Sequence, residues 1–129
     1  IRYLHQGFPP EEMVAMYLAA DVMLVTALRD GMNLVAKEYI ATRDDNRGVL
    51  VLSEFTGAAD ELRQAVRVNP HDIEGLKEAI VTAIEMPPRE QGRRMRALRK
   101  KVLENDVTAW SSSFLRALEE ARLEREATR

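Results

Sequence analysis

The fold of this chain is decided by two apolar stretches, DVMLVT at residues 21–26 and GVLVLS at residues 48–53. Such unbroken runs of strand length are typical of strands that are covered on both faces, as in a parallel sheet. Shorter strands are predicted at Arg2–Leu4 and Ala65–Val68. Helical patterns separate these strands, which is the order of βαβ units. We therefore predict an α/β fold, a Rossmann-like parallel sheet with additional C-terminal helices.

The predicted helices follow from proline positions and from apolar spacing. The first helix begins at Pro10, because proline suits the first helical position. The second covers about 33–42, and a short third covers 58–62. The last third of the chain is helical throughout, with boundaries at 86–88 and 105–106, where proline or an Asn-Asp pair interrupts the pattern.

Two parts are predicted along the chain. Residues 1–106 form the Rossmann-like domain, and residues 107–129 form a final helix with an apolar stripe that includes Trp110 and Phe114. The chain begins at Ile1, inside a predicted strand and without an initiator methionine. We therefore expect a piece of a longer protein, with the N-terminal portion of this domain outside it.

Composition narrows the class of protein. With 129 residues, of which 46% are hydrophobic and 31% charged, the chain can form one globular core. A formal net charge of −2 gives no reason to expect nucleic acid or an anionic membrane as partner. There is no cysteine, and no apolar run approaches the roughly 20 residues of a membrane span. The two histidines form no metal motif, and we expect a cytoplasmic protein.

The most informative loop follows the first apolar stretch and reads TALRDGMNLVAKE at residues 26–38. Asn33 occupies the position of an N-cap, so the amides of Leu34 and Val35 in the first helical turn are free to bind an anion. Gly31 allows a ligand to approach the backbone closely. The loop therefore predicts a site for a phosphate-bearing ligand.

Two carboxylates flank this helix start. Glu38 lies one turn beyond Leu34 and can reach back toward it, because side chains tilt toward the N-terminus of a helix. A carboxylate suits a neutral diol better than a phosphate, and it can accept two hydrogen bonds from ribose hydroxyls. Asp30, on the other flank, can accept hydrogen bonds from sugar hydroxyls. The arrangement indicates a sugar, a diphosphate and a ribose lying across the helix N-terminus.

The same spacing also fits a less specific structure. Asp-Gly followed by a capped helix is common, so Asp30 could be a solvated side chain, Asn33 an ordinary cap and Glu38 a surface residue. A basic stretch at 89–101 could bind an acidic partner or RNA, although without interleaved aromatic residues it indicates a solvated helix.

The wider string favours the specific interpretation. Asp30 to Glu38 resembles the acidic pair of GT-B glycosyltransferases, and LRDGMNLVAKEY at 28–39 is similar to the signature of the trehalose-6-phosphate synthases, the retaining glycosyltransferases of family 20. The segments at 49–59 and 68–70 resemble later blocks of that family, and YLHQ at 3–6 resembles the strand and loop before them. The resemblance extends over roughly residues 1–120.

The resemblance implies a role for each residue of the loop. The amides of Leu34 and Val35 would hold the diphosphate, and Glu38 would bind the ribose hydroxyls. Asp30, the catalytic residue of the set, would contact the glucosyl hydroxyls and position the anomeric carbon. The backbone of Phe8 would meet the nucleobase. The donor-binding residues implied are Phe8, Asp30, Gly31, Met32, Asn33, Leu34, Val35, Ala36, Lys37 and Glu38.

The reaction implied is transfer of glucose from UDP-glucose or another nucleoside-diphosphate-glucose to glucose-6-phosphate. Its product is α,α-trehalose-6-phosphate, with retention at the donor carbon. No metal or cofactor is expected, since helix N-termini and basic side chains offset the leaving-group charge. The family's basic pair and acceptor residues would lie upstream of Ile1, so we expect this polypeptide alone not to turn over.

The resemblance leaves one alternative open. A non-catalytic domain or a pseudo-glycosyltransferase of the same lineage would share the donor site and differ in its acceptor or in a regulatory role. For the full-length protein we expect a homo-oligomer. The final helix at 107–129 is expected to cross toward the N-terminal domain.

Overall fold

The computed structural model describes residues 1–127, which form six helices and three strands. The strands are β1 (Val22–Val25), β2 (Val49–Ser53) and β3 (Val66–Val68). The helices are α1 (Pro10–Ala19), α2 (Leu34–Thr42), α3 (Ala58–Glu61), α4 (Ile73–Glu85), α5 (Pro88–Glu104) and α6 (Val107–Ala127).

The three strands form one parallel sheet in the order β1-β2-β3. Val22 pairs with Val49, and Val51 pairs with Val66. All five residues of the central strand β2 are buried, as an apolar run without alternation predicts. Helices α2 and α3 connect consecutive strands, so the predicted α/β fold with a parallel sheet and C-terminal helices is confirmed.

The strand predicted at Arg2–Leu4 is wrong. Residues 1–5 have no regular secondary structure, and Tyr3 is 82% exposed. A strand is maintained by hydrogen bonds to a neighbouring strand, and within the described residues β1 pairs only with β2. A strand at residues 2–4 therefore has no neighbouring strand in the described part of the chain whose hydrogen bonds could stabilise it.

The sheet separates two hydrophobic clusters. Side chains alternate between the faces of a strand, so Leu50 and Leu52 of β2 pack with α1, α2 and α5, whereas Val49 and Val51 pack with α4. The first cluster also contains Tyr17 of α1 and the second cluster contains Ala83 of α4. Because β1 and β2 are parallel, the loops that leave their carboxyl ends, before α2 and before α3, emerge at the same edge of the sheet.

Arg43, which follows α2, is buried although it lies in a polar turn, with 2% of its surface exposed. Its Nη1 donates to the carbonyl of Leu18 at 2.7 Å and lies 3.3 Å from those of Tyr17 and Ala20. Its Nε donates to the carbonyl of Arg47 at 3.0 Å. One guanidinium thus satisfies carbonyls at the C-terminal end of α1 and joins α1 to the turn after α2.

Replacing Arg43 with Ala is expected to lower the free energy of unfolding by about 2 kcal/mol, because a buried side chain is truncated and its hydrogen bonds to the carbonyls of Leu18 and Arg47 are lost. Arg47→Ala, which removes an exposed guanidinium from the same turn, should change it by no more than about 0.5 kcal/mol. Urea denaturation of both variants measures the difference. Equal effects would show that the buried contacts of Arg43 contribute no more than a surface arginine does.

Helix α6 lies largely in solvent. Trp110 and Phe114 stack at a centroid distance of 5.5 Å, yet each is more than half exposed. The predicted division at residue 107 coincides with the start of this helix and stays a prediction as a domain boundary. The last two residues of the predicted 107–129 segment lie outside the described part. Among the described helices, none is long and apolar enough to cross a membrane.

Candidate functional site

The loop between β1 and α2 is organised by the carboxylate of Asp30. Its Oδ1 accepts a hydrogen bond from the amide of Met32, and its Oδ2 accepts one from the Asn33 side-chain amide, each at 3.0 Å. Asn33 has a φ of 80°, in the left-handed region that asparagine tolerates better than most residues. Its Oδ1 in turn accepts from the amide of Ala36 at 2.9 Å, which confirms the predicted N-cap.

This cap leaves two backbone amides at the start of α2 without a hydrogen-bond acceptor within residues 1–127. Leu34 and Val35 occupy the first turn, where no preceding helical carbonyl can accept their N–H groups. Neither N–H donates to any of the residues that the structure describes. Both residues are exposed, whereas Ala36 is fully buried, so its methyl group faces the core and its amide is already bonded. The dipole of α2 favours an anion at these two amides.

The β1–α2 loop is held against the loop that leaves β2. The amide of Asp30 donates to the carbonyl of Phe55 at 3.2 Å, and the amide of Gly57 donates to the carbonyl of Asp30 at 3.0 Å. The amide of Ala58 donates to the carbonyl of Met32 at 2.8 Å. These backbone bonds place Asp30 relative to the sheet. This contact is not predictable from the sequence, because nothing in either loop indicates which other loop it meets.

Glu38 is exposed and lies one turn into α2, with its Oε2 accepting a hydrogen bond from the Tyr17 hydroxyl at 2.9 Å. Tyr17 itself is buried. Burial, and then the hydrogen bond to the Glu38 carboxylate, raise the pKa of Tyr17 to about 12. The hydroxyl therefore remains a donor at any physiological pH. Tyr17 was not among the predicted site residues, since it lies 21 positions from Glu38 on another helix.

The side chain of Lys37, next to Glu38 on α2, forms an ion pair with a carboxylate on α3. Its Nζ lies 3.0 Å from Glu61 Oε2 in α3, and its side chain is largely covered. Asn105, after α5, donates to the same carboxylate oxygen at 3.5 Å. These contacts tie α2 to α3 and to the end of α5. The donor-binding role that the family resemblance implies for Lys37 stays a prediction, and this ion pair favours an indirect role, in which Lys37 supports the loop.

The remaining candidates lie outside this cluster. Phe8 is partly buried in the segment before α1, and no hydrogen bond within residues 1–127 connects it to the loop. His5 stacks on Tyr3, and His71 contacts the ring edge of Phe55. In the described part of the chain, no group of three or more histidine, aspartate or glutamate side chains could hold a metal ion. The structure thus brings Asp30, Asn33 and the two free amides together at one helix start, and Glu38 lies one turn further along the same helix.

Comparisons with known proteins agree with this geometry. The profile of glycosyltransferase family 20 matches residues 1–120. The trehalose-6-phosphate synthase of Mycolicibacterium smegmatis is 63% identical over 118 residues, which are 92% of this chain and 24% of that protein. The solved α,α-trehalose-phosphate synthase (UDP-forming) of Burkholderia xenovorans, in complex with glucose-6-phosphate, has 47% identity and a TM-score of 0.85, over 91% of this chain and 26% of that one.

A solved E. coli structure described as bound with UDP-2-fluoro glucose has 44% identity and a TM-score of 0.85, over 90% of this chain and 26% of that one. The parallel sheet and these neighbours define a class, the Rossmann-like units of GT-B glycosyltransferases. Within that class, the chain belongs to glycosyltransferase family 20. The family resemblance found in the sequence is thereby confirmed. The chain spans about a quarter of the length of the curated relatives it matches.

Proposed function

We propose that this chain is the donor-binding part of a glycosyltransferase that moves glucose from UDP-glucose to glucose-6-phosphate and forms α,α-trehalose-6-phosphate with retention. The observation that carries the proposal is the start of α2, where Asp30 and Asn33 build a cap that leaves two amides unbonded. Two aligned amides at the positive end of a helix favour an anionic group such as a diphosphate over a neutral polar ligand.

Each part of the donor has a matching group in this proposal. The amides of Leu34 and Val35 bind the diphosphate and offset the charge that develops as the glucosyl bond breaks. Glu38 accepts hydrogen bonds from the ribose hydroxyls. Asp30 keeps acceptor capacity beyond its two bonds inside the loop, since a carboxylate offers about four lone-pair sites. That capacity is available for the glucosyl hydroxyls, and the proposal assigns no step to a metal.

The choice of uridine rests on relatives. The B. xenovorans neighbour is called UDP-forming and holds glucose-6-phosphate, and the E. coli neighbour holds a UDP-sugar. We extend both properties to this chain, with the acceptor bound by a domain outside it. The proposal includes a cytoplasmic location, and the homo-oligomer expected of the whole protein stays a prediction.

Titration of the chain with UDP-glucose, ADP-glucose and GDP-glucose tests the donor site. Binding of UDP-glucose is expected by calorimetry, and Glu38→Gln should weaken it about tenfold, because a hydrogen bond to a charged acceptor is lost. Glu85→Gln, an exposed change on α4, should leave the affinity unchanged. Synthase activity of the chain alone is not expected.

Two outcomes would contradict this proposal. If none of the three donors binds at millimolar concentration, the donor-site assignment fails. If the chain alone forms trehalose-6-phosphate, the proposal that a domain outside this chain binds the acceptor is wrong. Binding of ADP-glucose or GDP-glucose in preference to UDP-glucose would change the nucleotide but keep the site.

A further inference from the structure

The contact between Tyr17 and Glu38 joins two helices at the proposed ribose position. Tyr17 is 4% exposed and belongs to α1, whereas Glu38 is exposed on α2. The hydroxyl donates to Oε2 of the carboxylate at 2.9 Å. Within residues 1–127 no ion pair involves the Glu38 carboxylate, and its backbone carbonyl accepts from the hydroxyl of Thr42 at 2.8 Å. A buried group thus holds an exposed one.

We propose that Tyr17 is a positioning residue: its hydroxyl fixes the Glu38 carboxylate in the orientation that accepts the two ribose hydroxyls of a nucleoside diphosphate sugar. The inference rests on the proposed function, since it assumes that Glu38 binds the ribose. It assigns Tyr17 no contact with the donor.

The first argument is the cost of ordering Glu38. A free glutamate side chain samples many rotamers, and holding it in one reduces its conformational entropy. A hydrogen bond to Tyr17 fixes the rotamer before the donor arrives, so this cost does not reduce the binding affinity. The bond occupies one of about four lone-pair sites on the carboxylate, which leaves at least one on each oxygen for a diol.

The second argument is that Tyr17 is itself fixed. Its ring forms a T-shaped pair with the Tyr39 ring, with a distance of 6.3 Å between the ring centroids and an interplanar angle of 75°. Its backbone carbonyl lies 3.3 Å from Nη1 of Arg43, which follows α2. The hydroxyl therefore starts from a position that the core determines. A positioning group must be more rigid than the group it positions, and this pair meets that condition.

The test compares UDP-glucose with its 2′,3′-dideoxyribose analogue, which lacks the hydroxyls that Glu38 would bind. Tyr17→Phe removes only the donor hydroxyl, and Tyr39→Phe is the matched control, because the Tyr39 hydroxyl donates to the carbonyl of Ala20 and not to Glu38. Affinities of the chain and both variants for both ligands are measured by calorimetry. Within one protein, the ratio of the two affinities does not depend on how much of that protein is folded.

Tyr17→Phe is expected to weaken UDP-glucose binding about fivefold and to change binding of the dideoxy analogue less than about twofold. Tyr39→Phe should keep the ratio of the unmodified chain. Equal weakening of both ligands by Tyr17→Phe, or no weakening of UDP-glucose, would overturn the inference.

A further variant separates failure of the inference from failure of the proposed function. If Glu38→Gln abolishes the preference for UDP-glucose over the dideoxy analogue and Tyr17→Phe does not reduce it, the ribose role of Glu38 stands and only the inference fails. If the unmodified chain binds both ligands equally, the ribose role of Glu38 is wrong, and the inference fails with it.

Discussion

Replacing Asp30 with Ala is expected to lower kcat/KM by about a hundredfold to a thousandfold. The measurement uses a chimaera in which residues 1–120 of this chain replace the matching segment of the M. smegmatis relative, so that an acceptor domain is present. Two losses combine in this variant. The glucosyl hydroxyls lose the proposed acceptor, and the carboxylate no longer holds the Met32 amide and the Asn33 side chain.

The second loss extends to the diphosphate. Asn33 caps the amide of Ala36 while Asp30 holds its side chain, so removal of Asp30 loosens the start of α2. Asp44→Ala is the control, since it removes an exposed aspartate beyond the other end of the same helix. Release of UDP under steady-state conditions is the measured rate. If Asp30→Ala keeps a tenth of the activity of the chimaera, Asp30 neither positions the sugar nor organises the loop.

Replacing Gly57 with Ala is expected to lower kcat/KM of the same chimaera by about a hundredfold, because a displacement of about 1 Å at a reacting centre can have an effect of that size. The backbone of Gly57 has a φ of −60°, which any residue adopts, so its conformation does not require glycine. Space does. A Cβ at this position would overlap the carbonyl oxygen of Gly31, which belongs to the donor loop.

The added methyl group therefore forces the two loops apart, at the place where Gly57 donates to the Asp30 carbonyl. Gly31→Ala is the informative comparison. A Cβ there meets nothing within 4 Å, so the melting temperature should be unchanged, although a ligand close to the backbone would meet the methyl group. Thermal unfolding and steady-state kinetics of both variants are measured. A Gly57→Ala chimaera with unchanged melting temperature and kcat/KM would show that the loops tolerate separation.

The parts of the fold that sequence predicts well are those set by local pattern. The apolar runs at 21–26 and 48–53 became β1 and β2. The predicted burial on both faces holds for β2 and is wrong for β1, where Leu24 is 44% exposed, because β1 lies at the edge of the described sheet. The cap at Asn33 was predicted because its chemistry acts within three residues. The strand prediction for residues 2–4 failed because a strand depends on a neighbouring strand, and the sequence of one segment does not indicate whether that neighbour is present.

The residues of the candidate site were named from the sequence and stay a prediction, whereas their mutual contacts could not be predicted from it. Asp30 was predicted to accept hydrogen bonds from sugar hydroxyls, whereas its bonds to Met32 and Asn33 depend on a backbone path that spacing alone does not define. Two hydrogen bonds to residues of the candidate site come from other elements. The hydroxyl of Tyr17 on α1 donates to Glu38, and the amide of Gly57 in the next loop donates to Asp30. Such contacts follow from tertiary packing, which acts between positions that are remote in the sequence.

The buried guanidinium of Arg43 has a consequence for how the site moves. Its contacts with the last carbonyls of α1 and with the turn after α2 make the two helices a single mechanical unit. Thermal fluctuations that displace α1 should displace α2 in the same direction. The distance between the Tyr17 hydroxyl and the Glu38 carboxylate is then expected to stay constant during such motion. Any opening of this region then has its hinge outside the pair, and the proposed ribose-binding group would move with its geometry already set.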